Sequence, residues 1–402
     1  MKRNKTICVM GLGYIGLPTA ALLANRNYQV HGVDVVQSTV DTINEGNIHI
    51  IEPELDIFVR SAVNSGNLKA DIKPQESDVF IIAVPTPFHD GFVPNIDYVV
   101  SAAKSIAPYV KEENIVILES TSPVGTTDKV NEVLAEFGVD VSKVHVAHCP
   151  ERVLPGHIMR ELVENDRIVG GITPEATEAT AEFYKTFVSG EVLKTEAKTA
   201  EMAKLTENSY RDVNIAFANE ISILCDKFEI NAWELIKLSN RHPRVNILQP
   251  GPGVGGHCIA VDPWFIVHKG GEDAKIIRAA REINNNKTQW SIEKIKNAAL
   301  EFKNENGREA KVACMGLSFK PNIDDLRESP ALFITRTLIT DGLDVLVVEP
   351  NIVSHEEFEI VQDEEAINKA DIIVYLVGHK EFKGIRIFGK SVLDFCGVTH
   401  GN

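Results

Sequence analysis

The sequence predicts an α/β protein in which two Rossmann-like, doubly wound domains are joined by a long helix and a central helical region. Short apolar runs alternate with helical patterns in the first part of the chain. A long helical stretch without Gly or Pro follows, and a second set of strand patterns closes the sequence. The length of 402 residues suits two or three domains.

The N-terminal region contains five short runs of apolar and β-branched residues, which we interpret as buried strands. They cover residues 6–10, 29–33, 79–84, 115–118 and 144–147. Because helical patterns separate these runs, we expect a parallel sheet with helices on both faces.

Helices dominate the middle of the chain. Residues 199–230 contain neither Gly nor Pro and carry apolar residues at helical spacing, which predicts one long helix between domains. Shorter helical patterns at 233–238 and 274–296 flank a Pro- and Gly-rich loop at 243–263. A polar linker is predicted at 303–309, and the strands of the second α/β domain are predicted at 311–316, 344–348 and 371–377.

Composition and charge limit the class of function. The formal net charge of −16 disfavours nucleic acid or an anionic membrane surface as the main partner, because both would be repelled. No apolar run reaches the length of a membrane span, and no secretion signal is evident. The six cysteines have no CxxC spacing, which favours reduced thiols and a cytoplasmic location.

A glycine motif directly follows the first predicted strand. Gly11, Gly13 and Gly16 have GxGxxG spacing, and Asp34 ends the second predicted strand. This context predicts a dinucleotide site, in which glycines permit a tight turn, close approach of a pyrophosphate and close helix packing. Asp34 would bind a ribose diol and repel a 2′-phosphate, which favours NAD over NADP. A glycine-rich turn without a ligand is the simpler alternative, but its flanking strand, helix and acid favour the cofactor.

Two further loops follow predicted strands at the sheet edge where α/β proteins bind ligands. The first contains Pro85 and Thr86, and the second contains Thr121. The prolines would fix loop shape while the hydroxyls face the cofactor. Each loop taken alone is more often only a turn.

The loop at 243–263 contains Cys258 within the segment PGPGVGGHCIAVDP. Four glycines before the thiol would leave bare backbone for close approach of a substrate, and Asp262 would share its face if the chain turns helically. A buried structural cysteine is the commonest alternative. Since such a cysteine needs no glycine-rich surround, the pattern favours a nucleophile.

A metal site is disfavoured. The His and Cys spacings match no standard zinc pattern, and adjacent residues rarely bind one ion together. The potential metal ligands considered are His145, His148-Cys149 and His257-Cys258.

The long predicted helix carries polar residues at three- and four-residue steps, which places them on one face. They are Glu201, Lys204, Asn208 and Arg211. A solvated charged face is the usual interpretation. An ammonium and an amide one turn apart also suit stabilisation of a developing oxyanion.

Seven motifs, in fixed order, resemble those of the UDP-glucose/GDP-mannose dehydrogenase family. They are GLGYIG, AVPTP, ESTSPVG, CPERVLPG, AEMAKLTENSYRDVNIAFANE, GPGVGGHCIAVDPWF and GLSFKPNIDDLRESP. The resemblance runs from end to end and implies three parts. These are an NAD-binding domain at 1–198, a central helical dimerisation domain with the catalytic loop at 199–302, and a UDP-sugar-binding domain at 303–402.

Family roles carry over to the matching residues. The resemblance implies that Cys258 is the nucleophile and that the other catalytic residues are Lys204, Asn208, Asp262, Glu151 and Thr121. The implied NAD-binding residues are Gly11, Gly13, Tyr14, Ile15, Gly16, Asp34, Pro85, Thr86, Thr121 and Arg327. The implied substrate-binding residues are Arg152, Val153, Leu154, Lys204, Asn208, Arg211, His242, Arg244, Gly255 and Lys320. Arg244 would reach the neighbouring site of a homodimer, and the role of His257 stays open.

The resemblance also implies a four-electron oxidation. The C6 alcohol of a UDP-sugar would become an aldehyde, and Cys258 would capture it as a thiohemiacetal. A second oxidation would give a thioester, which water hydrolyses to a carboxylate. The segment NRHPRVNILQPGPGVGGHCIAVDPWF is similar to members that act on UDP-N-acetyl-D-mannosamine. UDP-N-acetylglucosamine and UDP-glucose are the alternatives.

Overall fold

A computed structural model describes residues 5–256 and 258–400. His257, whose role the sequence leaves open, lies outside the described residues. The chain separates into two compact units, Met1–Glu207 and Asn208–Asn402. No helix in the described ranges combines the length and the apolarity that a membrane span requires.

The described residues of the N-terminal unit form ten strands. They are β1 (Thr6–Met10), β2 (Gln29–Val33), β3 (Leu68–Asp71), β4 (Val79–Ile82), β5 (Phe88–His89), β6 (Val93–Pro94), β7 (Ile115–Leu118), β8 (His145–His148), β9 (Arg167–Gly171) and β10 (Val192–Glu196). β5 and β6 form a separate hairpin, and the others form one sheet in the order β10-β9-β8-β7-β4-β1-β2-β3.

The five predicted strands of this sheet run parallel, whereas β9, which was not predicted, runs antiparallel to one neighbour. The strands from β3 to β8 in the sheet order run parallel, as predicted, but β9 pairs antiparallel with β8. The chain reverses direction between these two strands instead of making a crossover. The sequence RIVGG of β9 contains a buried arginine and two glycines, so no apolar run marks this strand.

Helices cover both faces of this sheet. They are α1 (Gly16–Asn25), α2 (Gln37–Asn44), α3 (Leu55–Asn64), α4 (Asp97–Ile106), α5 (Thr126–Glu136), α6 (Ile158–Glu164) and α7 (Pro174–Tyr184). Alternate residues of β1 enter opposite cores, because successive side chains of a strand point to opposite faces. Val9 packs in the core that includes α1, whereas Cys8 packs with Val99 of α4.

The predicted long helix is confirmed as α8 (Ala197–Lys227), and the boundary between the two compact units falls within it. Three helices follow: α9 (Ala232–Ser239), α10 (Asp262–Gly270) and α11 (Lys275–Asn306). The predicted linker at 303–309 is wrong in its first half, because α11 continues to Asn306. Ile292 and Ile295 of α11 are buried in the core of the second sheet, and the helix ends only at Gly307, whose φ is +69°.

The second unit contains a four-stranded parallel sheet. Its strands are β11 (Lys311–Met315), β12 (Asp344–Val348), β13 (Ile372–Tyr375) and β14 (Ser391–Asp394), in the order β12-β11-β13-β14. α12 (Pro330–Thr340) and α13 (Asp363–Lys369) supply residues to the cores on its two faces. The predicted fold class of two doubly wound α/β domains with helices between them is confirmed.

Candidate active site

The three glycines after β1 have different surroundings. Gly11 has a φ of +88°, and an added Cβ there would lie 2.6 Å from the carbonyl oxygen of Ala83. A Cβ on Gly16 would lie 1.8 Å from the carbonyl oxygen of Gly11, so helix α1 packs directly against the turn. A Cβ on Gly13 would meet nothing within 4 Å. The loop thus combines a tight turn with open backbone, as a pyrophosphate site requires.

Asp34 lies directly after β2, beside this loop. Its Oδ2 accepts a hydrogen bond from the backbone N–H of Leu12 at 3.0 Å, and its Oδ1 accepts one from Val36 at 3.0 Å. The half-buried carboxylate is therefore held where a ribose diol would meet it. Tyr14 is exposed and Ile15 is half-buried at the start of α1.

The loops that follow β4 and β7 are tied to each other. The buried Thr86 donates its hydroxyl proton to the carbonyl oxygen of Thr121 at 2.6 Å. Ser120 donates its hydroxyl proton to the carbonyl oxygen of Val84 at 2.7 Å. Thr86 was expected to offer its hydroxyl to a cofactor, whereas in the structure this hydroxyl orders the two loops. Pro85 is exposed and Thr121 is half-buried.

A buried charged cluster consists of Glu119 directly after β7, Glu151 in the loop after β8 and Arg167 at the start of β9, and only Glu151 was predicted. Arg167 Nη1 lies 2.7 Å from Glu151 Oε2 and 4.0 Å from Glu119 Oε1. The other oxygen of Glu151 accepts the backbone N–H of Arg152 at 2.6 Å. Burial, together with repulsion from Glu151, raises the pKa of Glu119 to about 8. Burial thus favours the protonated form of Glu119, while Glu151 is the carboxylate at close ion-pair distance from the arginine.

The loop after β8 supplies three predicted substrate residues. The guanidinium of Arg152 contacts Glu207 at 2.8 Å and donates to the carbonyl oxygen of Asp166 at 3.1 Å. Val153 is half-buried, and Leu154 is exposed. Arg152 thus connects its loop to the carboxyl-terminal part of the N-terminal unit.

The polar face of α8 divides into residues with different surroundings. Glu201 is buried and accepts the backbone N–H groups of Gly125 at 2.6 Å and Thr127 at 2.7 Å, so it stabilises the amino end of α5. Lys204 is half-buried and has no ion-pair partner among the residues that the structure describes. Arg211 is exposed. A fully solvated face is therefore excluded for this segment.

Cys258 begins a turn that leads into α10. The backbone N–H of Asp262 donates to the carbonyl oxygen of Cys258 at 2.8 Å, which is the helical turn that the sequence suggested. Asp262 is buried, and its Oδ2 accepts a hydrogen bond from Asn208 Nδ2 at 2.5 Å. Asn208 of α8 thereby holds the carboxylate that lies one turn after the thiol.

Cys258 is the only exposed thiol among the six cysteines, all of which are described. Burial raises the pKa of Cys8, Cys149 and Cys314 to about 12, so these thiols remain protonated. The exposed position of Cys258 supports its choice as the nucleophile over a buried structural cysteine.

Close packing explains two of the glycines before this thiol, a reason that the sequence did not reveal. A Cβ on Gly255 would lie 2.5 Å from the carbonyl oxygen of Glu328 and 2.8 Å from Pro330 Cδ. Gly256 has a φ of +81°, and its Cβ would lie 2.8 Å from the ring of Phe319. Protein atoms therefore lie where side chains at positions 255 and 256 would extend. These two glycines are needed because the loop packs closely against residues 319–330.

A buried network that the sequence did not reveal also holds this loop. Arg281 of α11 donates to Asp212 Oδ1 at 2.7 Å and to the carbonyl oxygen of Ile259 at 3.5 Å. Asn219 of α8 accepts the backbone N–H of Gly251 at 2.9 Å. Two helices therefore fix the backbone on both sides of Cys258.

The remaining predicted residues lie in loops of the second unit. Lys320 is exposed, while Arg327 contacts Asp325 at 2.6 Å. The carbonyl oxygen of Arg327 accepts the backbone N–H of Gly256 at 3.1 Å. His242 and Arg244 are exposed, and the backbone N–H of Arg244 donates to His242 Nδ1 at 3.3 Å.

Comparison with known proteins finds three matches to one family along the chain. Residues 5–188 match the NAD binding domain of the UDP-glucose/GDP-mannose dehydrogenase family, residues 198–286 match its central domain, and residues 313–399 match its UDP binding domain. A UDP-N-acetyl-D-mannosamine dehydrogenase of Campylobacter jejuni is 55% identical over 98% of this chain and 100% of its own length. An NDP-N-acetyl-D-galactosaminuronic acid dehydrogenase of Ralstonia nicotianae is 53% identical over 98% of this chain and 96% of its own length.

The fold comparison agrees with the sequence comparison. The structure of a UDP-D-ManNAc dehydrogenase from Pyrococcus horikoshii matches with a TM-score of 0.88 and 39% identity, covering 98% of this chain and 96% of that one. The glycine loop, the exposed thiol and the three matched domains lead to one conclusion: the chain belongs to the UDP-glucose/GDP-mannose dehydrogenase family and is an NAD-dependent nucleotide-sugar dehydrogenase.

Proposed function

We propose that the protein oxidises C6 of UDP-N-acetyl-D-mannosamine to the carboxylate, giving UDP-N-acetyl-D-mannosaminuronate. The observation that carries this proposal is the exposed Cys258, one helical turn before the buried Asp262, in a chain with matched NAD- and UDP-binding domains. The 55% identity to a relative with the corresponding name supports the choice of sugar. Two NAD and one water are consumed for each sugar, with release of two NADH and three protons.

NAD supplies the hydride acceptor for both oxidations. The open backbone at Gly13 and the carboxylate of Asp34 suit its pyrophosphate and a ribose diol. We assign the contacts of the cofactor to these residues and to Gly11, Tyr14, Ile15, Gly16, Pro85, Thr86, Thr121 and Arg327. The hydrogen bond between Thr86 and Thr121 supports a positioning role for Thr86.

Cys258 carries the covalent chemistry in this proposal. Its thiolate attacks the C6 aldehyde formed by the first oxidation, and the alkoxide takes up a proton to give a thiohemiacetal. Loss of a hydride and a proton from that adduct leaves a thioester, which water cleaves to release the carboxylate and the thiol. Attack of a thiolate explains why oxidation continues past the aldehyde.

Lys204 and Asn208 are assigned to the oxyanions that form at C6. The ammonium of Lys204 has no ion-pair partner in the described part of the chain, so it is available for a negatively charged oxygen. Asp262 is assigned to proton transfer with the attacking water, and the bond from Asn208 fixes its carboxylate. Both oxygens of Glu151 accept hydrogen bonds, which suits an orienting role near the cofactor.

We assign the contacts with the nucleotide part of the substrate to charged residues and to residues of loops. Lys320 and Arg211 present exposed cations that suit a diphosphate. The other proposed contacts are Arg152, Val153, Leu154, His242, Arg244 and Gly255.

We further infer a homodimer formed by the central domain. Three apolar residues of α8 are exposed at seven-residue steps: Tyr210 at 69%, Phe217 at 50% and Leu224 at 39%. Such a stripe on one helix face suits a second helix of the same kind. In this dimer Arg244 contributes to the neighbouring active site.

We infer three functional parts, residues 1–198 for NAD, 199–302 for dimerisation and the catalytic loop, and 303–402 for the UDP-sugar. Because the catalytic thiol must stay reduced, we also infer a cytoplasmic location.

A second candidate is an N-acetylgalactosamine nucleotide, because a 53% identical relative is named for the corresponding uronic acid. Purified protein should therefore be assayed for NADH formation with UDP-linked N-acetylmannosamine, N-acetylgalactosamine, N-acetylglucosamine and glucose. We expect the highest kcat/KM with UDP-N-acetylmannosamine and two NADH per sugar. A higher kcat/KM with another sugar would replace the proposed substrate.

The covalent step is tested with Cys258→Ser, compared with Cys225→Ser as a matched control at a buried thiol. We expect Cys258→Ser to lose at least roughly a thousandfold in kcat, because an alcohol is a much weaker nucleophile than a thiolate. Mass spectrometry after incubation with NAD and the sugar nucleotide would detect an ester adduct on the serine. Undiminished turnover of Cys258→Ser would exclude the covalent mechanism.

A further inference from the structure

A buried polar pair lies beneath the loop that follows β11. Glu349 lies directly after β12 and His379 lies beyond β13, and both side chains are buried. His379 Nε2 is 3.1 Å from Glu349 Oε2. Neither residue has a part in the proposed chemistry. Burying a polar or ionic pair costs free energy of desolvation. The groups that hydrogen-bond to this pair therefore indicate what it stabilises.

The pair holds the backbone of this loop at three points. Glu349 Oε2 accepts the N–H groups of Leu317 at 2.8 Å and Ser318 at 3.0 Å. The N–H of Asn322 donates to His379 Nδ1 at 2.9 Å. Because a backbone N–H can only donate, Nδ1 is an acceptor, and the ring proton on Nε2 is directed at Glu349.

The network continues from Ser318 to Lys320. The buried hydroxyl of Ser318 lies 3.3 Å from His379 Nε2 and donates to the carbonyl oxygen of Lys320 at 2.8 Å. The side chain of Lys320 is exposed and forms no ion pair with any residue that the structure describes. The backbone of this lysine is therefore fixed, while its ammonium stays available for an anion.

The corresponding loop of the N-terminal unit, which follows β1, has a different environment. Gly11 and Gly316 both have left-handed φ angles, +88° and +99°, and each donates its N–H to the neighbouring strand at 2.8 Å. An acid follows that strand in both units. Asp34 is half-buried beside the open glycine loop, whereas Glu349 is buried against His379. Glu349 of the second unit is thus too buried to contact a ligand, and its carboxylate accepts hydrogen bonds from the loop instead.

We propose that Glu349 and His379 are positioning residues that hold Lys320 for the diphosphate of the UDP-sugar. This inference rests on the proposed function, in which Lys320 contacts the substrate. Although burial alone would raise it, hydrogen bonds from His379 and from the backbone N–H groups lower the pKa of Glu349 to about 2. The carboxylate consequently stays ionised and accepts all of these bonds at neutral pH.

The test measures binding of UDP alone, by calorimetry, to wild type, His379→Phe and Ser318→Ala. We expect UDP to bind about tenfold more weakly to His379→Phe and about threefold more weakly to Ser318→Ala, because both changes release Lys320. The dissociation constant for NAD should not change. KM for the sugar nucleotide should rise by similar factors, with kcat changed less.

Ser291→Ala is the matched control, since its buried hydroxyl donates only within α11, to the carbonyl oxygen of Lys287 at 2.9 Å. It should bind UDP like wild type. Unchanged UDP affinity in both network variants would overturn the proposal, and so would an equal loss of NAD affinity, which would show a general structural role. Should His379→Phe fail to fold, Ser318→Ala decides the matter alone. If wild type binds UDP but oxidises no sugar nucleotide, the proposed function is contradicted and the positioning role is still tested by UDP binding.

Discussion

Individual side chains of the same type differ widely in their chemistry in this protein, because burial and neighbours differ. Glu119, Glu151 and Glu349 are all buried acids. Glu119 has a pKa raised to about 8, whereas hydrogen bonds lower that of Glu349 to about 2. Glu151 is paired with Arg167 at 2.7 Å. The number of hydrogen bonds and positive charges near each carboxylate, rather than burial alone, decides which form it takes.

The raised pKa of Glu119 predicts that the stability of the folded protein depends on pH. Between pH 4.5 and about 8 the folded protein binds a proton that the unfolded chain has released, so stability falls as the pH rises through this range. The full shift corresponds to roughly 5 kcal/mol at most. In Glu119→Gln the amide is neutral at every pH, so its stability relative to wild type should increase from pH 5 to pH 8. Urea unfolding followed by circular dichroism measures this difference.

The exposed Glu136→Gln in the same unit is the control for Glu119→Gln and should show no such trend. A pH-independent difference between Glu119→Gln and wild type would mean that Glu119 is ionised in the folded protein. The charge assignment of the cluster with Arg167 would then be wrong.

At the scale of single elements, both close packing and hydrogen bonds hold the loop that carries Cys258. Its glycines lie against Phe319 and Pro330, while Arg281 and Asn219 hold its backbone. Such a loop is more rigid than its glycine content indicates. A fixed backbone agrees with a nucleophile that must meet its substrate in one geometry.

This packing predicts a strong effect of Gly255→Ala. The new methyl group would lie 2.5 Å from the carbonyl oxygen of Glu328, which is backbone and cannot easily move. We expect a loss of about 1–3 kcal/mol in stability and at least tenfold in kcat, from overpacking and a displaced thiol. Gly251→Ala is the matched control, because its Cβ would meet nothing nearer than 3.7 Å. Equal thermal midpoints and rates for the two variants would contradict the packing interpretation.

Features set by neighbours in sequence were predictable, and features set by distant residues were not. The strands that consist of an apolar run, the turn at Gly11, the helical step from Cys258 to Asp262 and the helix α8 each depend on a short segment. The partners Glu349 and His379 are 30 residues apart and follow different strands. No periodicity connects them, just as none connects the glycines near Cys258 with Phe319. The length of α11 was underestimated because tertiary packing continues a helix through a polar segment.

At the scale of the whole molecule, each compact unit has its own sheet and its own apolar cores. The cores of the first unit use residues of β1, and those of the second use residues of β11. Because each unit has its own apolar cores, a change in the stability of one unit can be measured separately from the other. All three tryptophans, Trp233, Trp264 and Trp290, belong to the second unit, so their fluorescence follows that unit alone.

The apolar stripe of α8 is the contact surface of the proposed homodimer. Phe217 is half exposed in the middle of the apolar stripe of α8, so Phe217→Lys would place a charge at the centre of the contact. We expect the dimer dissociation constant to rise at least tenfold, about 1.4 kcal/mol, as measured by sedimentation velocity. Because Arg244 is proposed to act in the neighbouring site, kcat/KM should fall as the variant dissociates on dilution. Phe388→Lys changes a 79% exposed residue in the segment before β14 and should leave both quantities unchanged. A wild-type monomer, or a variant that stays dimeric at every concentration, would show that this stripe does not form the interface.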